Sequence, residues 1–118
     1  MIKTYFCPGR VNIIGEHLDY NGGSVLPAAI SLGIRAKVKI LREPKMIFRS
    51  QGMKPLMMEL HENWDYNPLH EWANYPKGIV RQFHAHFPIP SGLEISYEST
   101  LPVGSGLASS AAIEVLTM

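Results

Sequence analysis

An alternating strand that runs into a glycine-serine loop and then into an apolar stretch constrains this chain more than any other feature. Leu93-Glu-Ile-Ser-Tyr-Glu98 alternates apolar and polar residues, the period of a half-buried strand. It feeds Leu101-Pro-Val-Gly-Ser-Gly-Leu-Ala-Ser-Ser-Ala111, after which Ala111-Ala112-Ile113-Glu114-Val115-Leu116 reads as the start of a helix. Gly104 and Gly106 lack a Cβ, so the backbone there can approach a ligand closely. A glycine-rich loop that opens a helix points free N–H groups and a positive dipole end at one spot, which suits phosphate. The hydroxyls of Ser109 and Ser110 could ligate a metal or a phosphate oxygen. The alternative is a strand-to-helix turn with a serine cap. No Lys-Ser or Lys-Thr follows the glycines, so the Walker pattern fails, and Ser109 stands where a dinucleotide fingerprint needs its third glycine.

A second segment also concentrates chemistry. Pro8-Gly-Arg-Val-Asn-Ile-Ile-Gly-Glu-His-Leu-Asp-Tyr20 sets Arg10, Glu16, His17 and Asp19 around two glycines, and Asn21-Gly22-Gly23 follows. Arg10 offers a fork of donors for phosphate or carboxylate, or a structural ion pair with Glu16. Glu16 and Asp19 offer acceptors suited to alcohol hydroxyls.

The rest of the chain reads as a mixture of strands and one longer helix. Thr4 to Pro8 and Val25 to Ile30 are expected to be strands. Ile34-Arg-Ala-Lys-Val-Lys-Ile40 alternates, with Ile34, Ala36, Val38 and Ile40 on one face and a solvated basic face opposite. Met46 to Arg49 and Met57 to His61 suit shorter strands about a turn at Gln51-Gly52. Glu62 to Leu69 suits a loop. Trp72, Tyr75, Ile79, Val80, Phe83 and Phe87 recur at helical spacing, so Trp72 and Tyr75 should share a helix face. Pro76 requires this helix to begin nearby or to kink there. The predicted class is α+β, with helices on one side of a sheet.

The 118 residues suffice for one small domain. A net charge of +1 with scattered Lys and Arg gives no electrostatic case for nucleic acid or an anionic membrane. No apolar run approaches the ~20 residues of a membrane helix. Cys7 is the only cysteine, which forbids an internal disulfide and fits a reducing, cytoplasmic compartment; beside Pro8 it suits a small buried hydrophobe. His61, His70, His84 and His86 do not assemble with His17 in sequence and are expected at the surface or as caps.

Three segments together resemble a known family. PGRVNIIGEHLDYNGGSVLPAAI, Pro8 to Ile30, is similar to the galactokinase signature. LPVGSGLASSAA, Leu101 to Ala112, is similar to the phosphate loop of the wider GHMP kinases, which include homoserine, mevalonate and phosphomevalonate kinases. Trp72-Ala-Asn-Tyr75-Pro-Lys-Gly78 resembles a stretch that galactokinases carry between the two. The resemblance implies the GHMP-kinase N-terminal domain, an α+β fold with a left-handed crossover shared with a ribosomal protein. Residues 8–30 would be the sugar-binding motif and 101–111 the phosphate loop.

The implied activity is ATP-dependent phosphorylation of galactose to galactose 1-phosphate, with Mg2+. Arg10 would lie near the transferred phosphoryl group, and Glu16, His17 and Asp19 would hold the sugar. Trp72 and Tyr75 would border adenine. Gly104, Ser105, Gly106, Leu107, Ala108, Ser109 and Ser110 would bind ATP, with Ser109 or Ser110 on magnesium. A kinase for a related sugar such as N-acetylgalactosamine, and a non-catalytic paralog that binds sugar and ATP, share these motifs. Leu18 departs from the family's usual threonine. If it faces the sugar, a hydroxyl contact is lost; if it faces the core, it is harmless. The only aspartates are Asp19 and Asp65, so the resemblance puts the catalytic base, with a second domain, beyond Met118. The chain is then expected to be an N-terminal part, inactive alone.

Overall fold

The computed structural model describes residues 1–18, 20–102 and 106–118. A five-stranded mixed sheet carries two helices. In chain order these are β1 (Ile2–Ile14), β2 (Leu26–Leu41), β3 (Lys45–Ser50), β4 (Leu56–Glu59), a 3-10 turn (Pro68–Ala73), α1 (Asn74–His86), β5 (Gly92–Ser99) and α2 (Ser109–Thr117). The strand order is β1-β2-β5-β3-β4. Every pairing is antiparallel except β3 with β5, which the connection through β4 and α1 makes parallel.

Alternation builds the core. Ile34 and Ala36 of β2, Met46 and Phe48 of β3, and Ile95 and Tyr97 of β5 form one buried cluster with Val80 of α1 and Ala112 of α2. Both helices therefore cover the same sheet face, as the sequence predicts. The opposite face carries Arg35, Lys37 and Lys39, all exposed. Its charges pair across strands, Lys37 with Glu98 at 3.2 Å and Arg49 with Glu94 at 2.9 Å. Exposed pairs of this kind contribute little stability, which fits a solvated face.

Four expectations need correction. The two strands expected in 25–40 are one, because β2 runs unbroken from Leu26 to Leu41. Ile40 keeps its alternation but is 65% exposed, since it lies at the strand's far end in a hollow with Phe83, Pro88 and Ile89. The helix expected from Trp72 is split. α1 begins at Asn74, which leaves Pro76 in its first turn, and the break falls earlier, at Glu71 (φ 47°, ψ −122°). Cys7 is half-buried rather than buried.

β5 delivers the chain to the glycine loop. Thr100 leaves the strand and brackets Gly33 of β2. Its backbone N–H donates to the Gly33 carbonyl at 2.9 Å, and its Oγ1 accepts from the Gly33 N–H at 2.9 Å. A side chain at Gly33 would collide with the Cys7 carbonyl, 2.3 Å from an ideal Cβ.

Candidate functional site

The two chemistry-bearing segments, far apart in sequence, meet. The backbone N–H of Arg10 in β1 donates to the Leu107 carbonyl at 3.1 Å. Gly9 makes this approach possible. A Cβ there would lie 2.6 Å from Leu101 Cδ2 and 2.9 Å from the Leu107 oxygen. The β1–β2 register shifts between Pro8 and Arg10, so the strand bends where the loop crosses it. Arg10 itself is exposed. Among the described residues it forms no ion pair with Glu16, so the structural pairing considered from sequence does not occur.

Beyond β1, the described residues between Gly15 and Gly23 form a tight turn. The N–H groups of Asn21 and Gly23 both donate to the Leu18 carbonyl, at 3.2 and 2.7 Å. His17 takes a left-handed conformation (φ 63°), uncommon without glycine. Two contacts hold it: Nδ1 lies 2.6 Å from the Tyr20 hydroxyl, and its carbonyl accepts from Asn21 Nδ2 at 2.8 Å. Glu16 is exposed in the same turn. Leu18 is 42% exposed and lies over Gly23, so it faces neither open solvent alone nor the core. Asp19 lies outside the described residues.

On the other side of Arg10, Gly106 (φ 69°) and Ala108 (φ 60°) turn the chain sharply into α2. The capping position is Ala108, and among the described residues no side chain caps the helix. The serine-capped turn considered from sequence is thus not what forms. The first hydrogen bond of α2 runs from Ala112 to the Ala108 carbonyl, so the preceding N–H groups of the first turn remain available to an anion. Ser109 and Ser110 open this turn, both exposed. Gly104 and Ser105 lie outside the described residues.

The aromatic pair does not share a helix face. Trp72 sits in the 3-10 turn, its Nε1 donating to the Lys54 carbonyl at 3.1 Å and its ring meeting Tyr97 edge-on at 6.0 Å. Tyr97 in turn lines a hollow of about 380 Å³ with Arg49, Ser50, Gln51, Met53 and Pro55, which Trp72 itself does not line. Tyr75, in α1, lines a separate hollow with Tyr66, Glu71, Gly78 and Glu114.

Comparison with known proteins matches both halves of this arrangement. Residues 3–40 match the galactokinase galactose-binding signature, and residues 74–118 match the GHMP kinase N-terminal domain. A galactokinase of Clostridium beijerinckii is 48% identical over 97% of this chain and 30% of its own length. The Lactococcus lactis galactokinase complexed with galactose superposes with a TM-score of 0.87 at 34% identity, over 98% of this chain and 31% of that one. The chain belongs to the galactokinase family. A mevalonate kinase from Methanococcus jannaschii shares the fold more distantly, with a TM-score of 0.82 and 27% identity over 99% of this chain and 38% of that one. The chain spans about 30% of the length of the curated galactokinases it matches. The resemblance read from the three segments, and the α+β GHMP-kinase domain it implied, are both borne out.

One feature of this galactokinase-family chain escapes sequence reading. Lys77 is buried, 1% exposed, on the face of α1 that also carries Ala73 and Val80. Its Nζ donates to the Asp65 carbonyl at 2.6 Å and to His70 Nδ1 at 2.9 Å. Burial pushes the Lys77 pKa down, opposed by Asp65 and assisted by Arg81. His70 is also shifted down, by burial first, then by Lys77, with Glu62 opposing. His70, half-buried, is therefore paired with the buried Lys77 rather than an isolated surface group. The available signal was position: Lys77 lies four residues after Ala73 and three before Val80, on an apolar stripe.

Among the described residues no three His, Cys, Asp or Glu side chains cluster to hold a metal, and no helix is long and apolar enough to cross a membrane. The donors available for a cation beside the loop are the Ser109 and Ser110 hydroxyls. A magnesium ion that keeps waters and phosphate oxygens needs only one such group from the protein.

Proposed function

We propose that the protein transfers the γ-phosphoryl group of ATP to the anomeric hydroxyl of galactose. Residues 8–30 serve as its sugar motif and 101–111 as its phosphate loop. The observation that carries this reading is the Arg10 N–H to Leu107 carbonyl bond over Gly9, which sets the sugar motif edge to edge with the phosphate loop. Phosphoryl transfer is chiefly positioning and charge stabilisation, so donor and acceptor motifs must share one border.

Each residue then has a task. The uncapped first turn of α2 and the loop residues Gly104, Ser105, Gly106, Leu107 and Ala108 receive the phosphates. Ser109 or Ser110 would hold Mg2+ through its hydroxyl, and the ion when bound would supply charge neutralisation to the phosphates. Arg10, exposed beside Leu107, meets the charge that develops on that group. Glu16, His17 and Asp19 orient the sugar hydroxyls. Trp72 and Tyr75 are the residues proposed to border the nucleobase. Asp65 is engaged with Arg81 at 2.9 Å, which argues against it as the base. The lone Cys7 accords with a reducing, cytoplasmic compartment.

The test is selective damage, measured in the whole protein. Asp19→Asn replaces an acceptor with a mixed donor–acceptor group, which a hydroxyl-matching site rejects strongly. Calorimetry should show galactose affinity lost and ATP affinity kept. Equal losses for both ligands would remove Asp19 from the sugar site.

A further inference from the structure

The segment from Asp65 to Ala73 is tied to α1 more heavily than a connecting loop requires. Asn67 accepts from the Leu69 N–H at 2.9 Å and caps the 3-10 turn. Asn74 Nδ2 reaches back to the Asn67 carbonyl at 2.7 Å and the Glu71 carbonyl at 3.1 Å. Arg81 pairs with Asp65 at 2.9 Å. Beneath these contacts lies Lys77, fully buried, joined to the Asp65 carbonyl and His70 Nδ1. An ammonium group is costly to bury, and here both partners are neutral acceptors rather than a carboxylate. The same segment contains Glu71 at positive φ, a conformation that persists only where the surroundings over-determine it. Strain and buried charge flank one side chain, Trp72.

We infer that Lys77 is a positioning residue for nucleotide binding: by pinning the Asp65 carbonyl and His70 to α1 it fixes the strained turn that orients the Trp72 ring. The inference rests on the assignment of Trp72 to the nucleobase side of the site. The ammonium holds both ends of the turn, Asp65 before it and His70 within it. The turn passes through Glu71 into Trp72, whose indole then reaches the Lys54 carbonyl and Tyr97. His70 must offer the Nδ1 lone pair, so it is the neutral tautomer protonated at Nε2. α2 and the phosphate loop take no part in these bonds, so the effect is confined to the nucleobase.

Calorimetry on the whole protein with two probes, ATP and tripolyphosphate, separates positioning from general damage. Lys77→Met keeps the aliphatic stem and removes the donors. It should weaken ATP about tenfold, the scale of losing buried hydrogen bonds, and leave tripolyphosphate binding unchanged. His70→Leu should reproduce this loss with Lys77 intact, and it carries the test if Lys77→Met fails to fold. His70→Gln, which keeps an acceptor, should restore ATP affinity. Unchanged ATP affinity in the Met and Leu variants, or equal weakening of ATP and tripolyphosphate, would overturn the inference. Equal wild-type affinity for ATP and tripolyphosphate would instead overturn the nucleobase assignment, and the inference with it.

Discussion

Arg10 has an exposed side chain and a backbone N–H committed to the Leu107 carbonyl, so its backbone is fixed while its guanidinium forms no ion pair among the described residues. The charge it is proposed to meet develops in the transition state. Arg10→Ala should therefore reduce kcat more than it raises the KM for either substrate, measured in the whole protein. A loss confined to sugar KM would reassign Arg10 to ground-state binding. Tyr97 supports a prediction about stability. Burial pushes its pKa up to about 12, against a hydrogen bond with Thr117 that works the other way. Below pH 10 both folded and unfolded chains keep the phenolic proton; between 10 and about 12 only the folded chain keeps it. Stability should fall as pH rises across that window, by up to about 3 kcal/mol. Lys77, shifted down from its ordinary 10.5, has the opposite sign and acts only below that value. Chemical denaturation at pH 9 and 11 should show the loss, and Tyr97→Phe should flatten it. An equal loss in the Phe variant would assign it to other groups.

At the scale of elements, the decisive contact is β1 against the loop that opens α2. Gly9→Ala would drive a methyl against Leu101 and the Leu107 carbonyl. Separating strand and loop should destabilise the fold by about 1–3 kcal/mol and weaken tripolyphosphate binding. A variant with wild-type phosphate affinity would show that the loop does not depend on β1 for its shape. Several elements were legible because periodicity maps directly onto burial: β5, the apolar face of β2, and the start of α2 all follow from alternation or an apolar run. The union of the two parts of β2 was hidden, because Ser31-Leu32-Gly33 reads as a break until Thr100 is seen to bracket Gly33. The break before α1 was hidden too. Pro76 drew attention as the disruptive residue, yet a helix tolerates proline in its first turn, and the departure lies at Glu71. Among site residues, Arg10 and the serines were legible as motif members. Lys77 was not, since a lysine on an amphipathic helix is ordinarily solvated and only the packing of the 65–73 segment buries it.

At the scale of the molecule, the sugar motif stands away from the core. β5 pairs with β2 only from Ile34 onward, with Thr100 bracketing Gly33, so residues 26–29 pair with β1 alone and form a two-stranded ribbon. The radius of gyration, 15.4 Å, exceeds the roughly 13.5 Å of a compact chain of this length, and the long extent is 46 Å. Ile13, Ile14 and Leu26 near the ribbon's tip are 61%, 68% and 53% exposed. A two-stranded ribbon is marginal by itself. Galactose bound at its turn should slow amide hydrogen exchange in 10–18 and 24–30 while leaving β3 and β5 unchanged; no sugar-dependent protection there would separate the ribbon from the sugar site. The central claim, that these two joined motifs belong to a galactose-phosphorylating site, is tested most directly by ATP turnover. A coupled ADP-release assay on the whole protein should run with galactose, and fall to the sugar-free rate without it or with N-acetylgalactosamine. Turnover with N-acetylgalactosamine in preference to galactose, or no sugar-dependent turnover despite tight binding of both ligands, would contradict the account.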